Sequence, residues 1–161
     1  IHECLERVRS LILVEAEGEV NVVRDYDLSL PGLTADPDQL IQALLNITGN
    51  ALQALRENSK QTQPPQIILR TRAQRQFTIG AIRHRLVLRL DIIDNGPGIP
   101  PSLIDSIFYP MVTGRASGSG LGLSISQDII HLYHGLIECE SRSGQTIFSI
   151  FLPLESGHDS R

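Results

Sequence analysis

The feature that most constrains this chain is the run Asp94-Asn95-Gly96-Pro97-Gly98-Ile99. It follows a largely apolar, β-favouring stretch, residues 86–93, and ends on Pro100-Pro101. A carboxylate at the end of a buried strand is costly unless a donor satisfies it. Two glycines one residue apart let the backbone turn sharply and approach a ligand closely. Asp94 is therefore placed to accept a hydrogen bond from something bound beside the strand end. Taken alone, the run also reads as a turn whose carboxylate caps its own loop. Its company changes that reading: an Asn-x-x-x-Asn helix before it and a Gly-Ser-Gly-Leu-Gly-Leu loop after it.

A chain of 161 residues fits one domain, and at 41% hydrophobic it can bury a proper core. Only 4% is aromatic and there is no Trp, so aliphatic side chains must supply most of that core. A net charge of −4 argues against a general nucleic-acid binder. Cys4 and Cys139 lie far apart without metal-ligand spacing, which fits reduced thiols in a cytosolic protein. No run approaches the length of a membrane span, and the N-terminus has no signal-peptide pattern. The chain opens on Ile1 rather than Met, so the expectation is a piece of a longer protein.

Apolar Leu5, Val8, Ile12 and Ala16, with Leu11 beside them, have helical spacing and predict an amphipathic helix over residues 1–16, ended by Gly18. Residues 20–26 read as a strand. Asp36-Pro37-Asp38-Gln39 is a helix start, with Asp36 as N-cap, Pro37 at the first helical position and Gln39 in the capping-box place. That helix is expected to reach about Glu57, with Leu40, Leu44, Leu45, Ile47, Ala51, Leu52 and Leu55 on its apolar face. Residues 66–71 and 86–93 read as strands joined by a basic stretch, 72–85, in a long hairpin. A short helix is expected over 103–108, a mobile loop over 109–119, a second long helix over about 120–134, and strands over 136–140 and 146–152. Residues 154–161 form a polar tail expected to be disordered. A mixed sheet with helices on one face, a two-layer α/β sandwich, follows from this order.

Asn46 and Asn50 are four apart and lie on one face of the first long helix. Buried Asn in a Leu-rich helix is unfavourable by propensity and by desolvation. One reading is a solvated stripe beside Gln42 and Gln53; the other is a pair of amide oxygens meeting a hard cation. Mg²⁺ takes few protein ligands when phosphates supply the rest. Gly118-Ser119-Gly120-Leu121-Gly122-Leu123 opens the second long helix. Its glycines allow consecutive N–H groups to face an anion at a helix N-terminus. It also reads as a flexible hinge. It is neither a P-loop, since no Gly-Lys-Ser/Thr follows, nor a dinucleotide fingerprint.

Together these signals describe a site for an adenine base, a magnesium-bound triphosphate and a lid. The chain resembles the ATP-binding catalytic domain of sensor histidine kinases, in the GHKL (Bergerat) superfamily shared with DNA gyrase B, the chaperone Hsp90 and MutL. Asn46-Ile47-Thr48-Gly49-Asn50-Ala51 resembles the N box, residues 94–99 the G1 box, Ile107-Phe108-Tyr109-Pro110-Met111 the F box and residues 118–123 the G2 box. Gly144-Gln145-Thr146-Ile147-Phe148 with Leu152-Pro153 resembles the closing strand. Residues 108–115 and the hairpin after 67–72 resemble the nitrogen-regulation sensor kinases of the NtrB type.

The resemblance implies a Bergerat fold over residues 1–153, with residues 1–17 as a leading helix that links to a dimerisation and phosphoacceptor domain. It implies that Asp94 accepts from the exocyclic amine of adenine and that Asn50 holds Mg²⁺. Asn46 would lie near the phosphates, Gly96 and Gly98 would let the base pack close, and Ile99 would belong to the nucleotide site. Gly118, Gly120, Leu121, Gly122 and Leu123 would cradle phosphate oxygens. Arg115 would offset γ-phosphate charge or be a solvated surface Arg. Thr146 would support the adenine side or be a half-buried strand residue. Ser117 and Leu136 depart from the pattern, standing where many relatives have a lid Gly and a polar residue. The implied partners are that dimerisation domain, an NtrC-type response regulator and a PII-type signal protein, in the cytoplasm, with no nucleic acid and no membrane.

The water-using relatives carry Glu where this chain has Asn46. An amide cannot take a proton at neutral pH, so water attack lacks a base and a histidine imidazole is the expected acceptor. His2, His84, His131, His134 and His158 all lack the His-Glu-x-x-Asn-Pro context of such an acceptor. The expected function is therefore phosphoryl transfer to a histidine outside this chain. The alternative is a nucleotide-sensing or partner-docking module that keeps the fold without turnover.

Overall fold

A computed structural model of the chain describes residues 1–58, 61, 63–109 and 122–154. Its elements, in order, are α1 (His2–Ala16), β1 (Asn21–Asp25), α2 (Pro37–Glu57), β2 (Gln66–Ile79), β3 (Ile82–Asp94), α3 (Pro101–Ile104), α4 (Gly122–Leu132), β4 (Leu136–Arg142) and β5 (Gln145–Pro153). The strands form one sheet in the order β1-β2-β3-β5-β4. β1 and β2 are parallel and the other pairs antiparallel, so the sheet is mixed as expected.

Side chains alternate across a strand, and the alternation divides the molecule into two layers. Ile67 and Leu69 of β2, Leu88, Leu90 and Ile92 of β3, and Phe148, Ile150 and Leu152 of β5 share one buried core with the helices. Leu5, Val8 and Ile12 of α1, Leu44, Ile47 and Leu52 of α2, and Ile130 of α4 close that core from the other side. The core is almost wholly aliphatic, as the scarcity of aromatic residues requires. The opposite face of the sheet carries Arg70, Arg89, Asp91, Ser149 and Phe151.

α2 starts where its sequence signals place it: Asp36 Oδ1 accepts from the Asp38 amide at 2.9 Å, with Pro37 just inside. The capping box is not formed. Gln39 Oε1 instead accepts from the Tyr133 hydroxyl, and that hydroxyl accepts from the Asp36 amide at 3.0 Å. Tyr133, just past the end of α4, thus takes the place expected of Gln39 and ties the two long helices together.

The hairpin is longer than its apolar segments. Main-chain pairing continues from Arg72↔Arg89 to Ile79↔Ile82, well past the Val87↔Pro153 pair where β5 ends. An antiparallel pair needs no buried face along its whole length. Phe77 lies parallel to Phe151 at 4.4 Å, and the Arg89 guanidinium sits 5.5 Å from the same ring.

The short helix expected over 103–108 is displaced to Pro101–Ile104. Pro101 can open it because the first helical N–H is not needed. Beyond it, the Ser106 and Tyr109 amides reach back only three residues, to Leu103 and Ser106, which makes turns rather than α-helix. Leu154 still packs on the core and donates its amide to Leu86 O at 3.0 Å. The expected lid, the first residues of the G2 box and the tail from residue 155 lie outside the described residues.

Candidate functional site

Asp94 ends β3 on the helix side of the sheet and is only 4% exposed. Its Oδ1 accepts from the Gly96 amide at 2.9 Å. It pairs across the ladder with Thr146 of β5, which is also 4% exposed. Thr146 Oγ1 lies 3.1 Å from Ser141 Oγ on β4, and Ser141 Oγ accepts from the Ile99 amide at 2.6 Å. Asp94, Thr146, Ser141 and the 94–99 loop thus form one polar cluster at the sheet's end.

The protein itself crowds both loop glycines. A Cβ on Gly96 would lie 2.9 Å from Asp94 Oδ1 and 3.8 Å from Ala54 Cβ of α2. Gly98 has φ +87°, and a Cβ there would lie 2.4 Å from Arg142 O. The room left at Gly98 is filled by protein backbone, so this glycine docks the loop on the β4–β5 hairpin. Asn95 fastens the loop on the other side: its Oδ1 accepts from the Gln66 amide and its Nδ2 donates to Pro64 O, both at 2.9 Å. Gln61 Nε2 donates to Asn95 O at 3.1 Å.

Asn46 and Asn50 are both half-buried. Asn46 Nδ2 donates to Gly122 O, at the start of α4, at 3.1 Å. Ser126 Oγ donates to Ala43 O at 2.8 Å and reinforces the same α2–α4 seam. The Asn50 side chain has no hydrogen-bond partner among the described residues. Asn46, Asn50 and Ala54 recur every four residues, so one stripe of α2 runs from the start of α4 to the glycine loop. At the α-helical rise that stripe spans about 12 Å. The carboxylate cluster stands at one end and the N-terminus of an α-helix at the other.

Among the described residues no group of three His, Cys, Asp or Glu side chains could hold a metal. A cation here would rest on an amide oxygen plus oxygens of its own ligand, and the half-buried Asn50 amide fits that need. Cys139 lies on the same face, opposite Phe148. Burial, then the negative charges of Asp94 and Glu140, push its thiol up to about 12. Ile107 of the F box is buried and Phe108 meets Phe148 edge-on at 6.2 Å. Gly122 opens α4 and Leu123 packs against the core. Arg115, Gly118, Gly120 and Leu121, with Ser117, lie outside the described residues.

Residues 35–156 match the family model described as histidine kinase-, DNA gyrase B- and HSP90-like ATPase. A protein from Escherichia coli O157:H7 described as sensory histidine kinase/phosphatase NtrB is 51% identical over 154 residues, covering 96% of this chain and 43% of that protein. A Vibrio alginolyticus protein of the same description is 48% identical, with the same coverage of 96% and 43%. The chain thus spans less than half the length of the curated relatives it matches. Among solved structures, the catalytic domain of histidine kinase ThkA superposes with a TM-score of 0.76 at 24% identity, over 95% of this chain and 91% of that one. Full-length ShkA in complex with AMPPNP gives 0.73 at 25% identity, over 94% of this chain and 29% of that one. By the family match and by its mixed sheet under a helical layer, the chain belongs to the histidine kinase-, DNA gyrase B- and HSP90-like ATPases.

Proposed function

We propose that this chain binds Mg²⁺-ATP between the Asp94 cluster and the start of α4, and presents the γ-phosphate to a histidine on a separate domain. The observation that carries the reading is the α2 stripe, which joins a buried strand-end carboxylate to a helix N-terminus across the half-buried Asn50. Asp94 accepts from the exocyclic amine of adenine. Guanine has an oxygen there and would oppose the carboxylate. Asn50 supplies an amide oxygen for Mg²⁺, which when bound neutralises charge on the phosphates. Gly118, Gly120, Leu121, Gly122 and Leu123 offer backbone N–H groups to phosphate oxygens at the start of α4, and Arg115 adds positive charge. Gly96, Gly98 and Ile99 form the wall beside the base.

Asn46 gives its Nδ2 hydrogen to Gly122 O. Its amide oxygen cannot act as a base at neutral pH. The chain therefore accelerates transfer by holding the nucleotide and balancing charge. The imidazole nitrogen of the acceptor forms the new N–P bond, the bond from phosphorus to the bridging oxygen breaks, and ADP leaves. In the whole protein we infer an NtrB-like role: a cytoplasmic kinase and phosphatase for an NtrC-type response regulator, governed by a PII-type signal protein. The likeness to the NtrB relatives supports this. Among the described residues no helix is long and apolar enough to cross a membrane.

The test is calorimetric titration of the chain with ATP and GTP, with and without Mg²⁺, for the native sequence and Asn50→Ala. Tight binding restricted to ATP and strengthened by Mg²⁺ is expected, with the Mg²⁺ effect lost in Asn50→Ala. An unchanged affinity in that variant removes the metal role from Asn50. Mixing with a histidine-bearing dimerisation domain should then yield phosphohistidine. Tight ATP binding without it would favour the nucleotide-sensing module instead.

A further inference from the structure

Asn95-Gly96 is a pair of residues with a reaction of its own. The backbone nitrogen that follows an Asn can attack the amide carbon of that Asn side chain, and glycine obstructs the approach least. Of the chain's asparagines only Asn95 precedes glycine; Asn21, Asn46, Asn50 and Asn58 precede Val22, Ile47, Ala51 and Ser59.

The fold has need of both residues. A Cβ at position 96 would lie 2.9 Å from Asp94 Oδ1 and 3.6 Å from Leu55 Cδ2. Position 95 needs an amide. Its Oδ1 accepts from the Gln66 backbone N–H, which can only donate, and its Nδ2 donates to Pro64 O, which can only accept, both at 2.9 Å. The orientation of the side chain is thereby fixed, and a carboxylate there would set its charge against the Pro64 carbonyl. The same contacts keep the reaction from starting. Asp94 Oδ1 holds the buried Gly96 N–H at 2.9 Å, and a carboxylate so close opposes loss of that proton. Gln61 Nε2 donates to Asn95 O at 3.1 Å and steadies the same peptide.

We propose that Asn95 is a deamidation site kept closed by its own loop, and that its conversion unfastens the loop that carries Asp94. When the loop opens, the Gly96 nitrogen gives its proton to water or hydroxide and bonds to Asn95 Cγ. The Cγ–Nδ2 bond breaks, Nδ2 takes a proton and leaves as ammonia, and a succinimide ring remains. Water then adds to one of the two ring carbonyls and reopens it as an aspartyl or an isoaspartyl residue. The first product puts a carboxylate where Pro64 O meets a donor. The second also lengthens the main chain by one carbon between Asp94 and Gly96. That conversion weakens nucleotide binding rests on the reading of Asp94 as the base contact; the site itself does not.

The experiment is peptide mapping by mass spectrometry of the chain held at mildly alkaline pH, folded and in urea. In urea, position 95 should gain one mass unit sooner than any other asparagine. In the folded chain that gain should be at least about tenfold slower, because it waits on local opening of the loop. Equal rates in the two states, or another asparagine converting first in urea, would overturn the proposal. The converted chain, separated by anion exchange, should melt at a lower temperature and bind Mg²⁺-ATP about tenfold more weakly. Asn95→Asp supplies the aspartyl product directly and should melt early in the same way. Converted and substituted chains that both melt with the native one would overturn the unfastening. Saturating Mg²⁺-ATP should slow conversion of the folded chain further. Slow conversion in the fold with no effect of ATP upholds the deamidation site and counts instead against the reading of Asp94.

Discussion

Two aspartates on β3, three residues apart, are buried to nearly the same degree on opposite faces of the sheet, Asp91 at 5% exposed and Asp94 at 4%. Asp91 is held within the strands. Ser149 Oγ on β5 donates to its Oδ1 at 2.7 Å, and Arg89 Nε donates to the same oxygen at 3.1 Å. That arrangement is complete once the β3–β5 register is set, and the Arg89 guanidinium continues it onto the Phe151 ring. Asp94 instead takes the Gly96 amide, so its setting depends on a loop that is docked on three neighbours: α2, the β4–β5 hairpin and the start of β2. Equal burial therefore accompanies different purposes. One carboxylate is bonded within the strands, and the other is bonded to a loop beside the proposed nucleotide site.

The sharpest way to break this comparison is through the loop. Gly98→Ala and Gly144→Ala both place a side chain at φ +87°, but only Gly98 has a neighbour within 4 Å. Left-handed strain alone costs about 1–2 kcal/mol. Thermal unfolding should show Gly144→Ala losing about that amount with ATP affinity kept. Gly98→Ala should lose about 2–3 kcal/mol and most of its ATP binding. If both variants bind ATP normally, the loop does not mount Asp94 as argued.

Next in size is the direct exchange. Asp94→Asn should raise the ATP dissociation constant about tenfold to a hundredfold, the worth of a charged hydrogen bond. Asp91→Asn should leave that constant alone and lower stability by about 1–2 kcal/mol. A pair of titrations and melts decides it, and a reversed pattern would exchange the roles of the two acids.

The smallest effect extends the comparison to a half-buried acid. Asp25 of β1 bonds Arg72 and Arg70, which hold its carboxyl below the usual carboxylate range. A lowered folded value means the stabilisation is present above the unfolded value, about 4, and is lost as the pH falls through the folded one. Melting curves in acid should therefore drop less steeply for Asp25→Asn than for the native chain. Screening by salt should shrink the difference, as it would not for Asp91.

Much of the fold was legible because it rests on local signals. The α1 and α2 apolar periods, the Asp36-Pro37 start and the β2–β3 and β4–β5 hairpins all depend on neighbours close in sequence. Of the candidate site, the structure forms two separate pairs among the residues singled out, Asp94 with Thr146 at the end of the sheet and Asn46 with Gly122 at the α2–α4 seam. Ser141, Ser126 and Tyr133 were missed. Each acts through a partner 42, 83 or 97 residues away, and a single Ser or Tyr leaves no periodic trace. Asn95 did carry a signal, since it sits inside the glycine run, but nothing local shows that its side chain would bind Gln66 and Pro64.

The sequence by itself determined which residues could sit at strand ends, open helices and line a core, because propensity, capping and hydrophobic period act over a few residues. Only the tertiary structure decided what each polar group faces. It turned Gln39 from a cap into a partner of Tyr133, set the Arg142 carbonyl against Gly98, and placed Ser141 between Ile99 and Thr146. The physical reason is that hydrogen bonds of a buried polar group are satisfied by whatever packing brings near, and packing is a property of the whole chain.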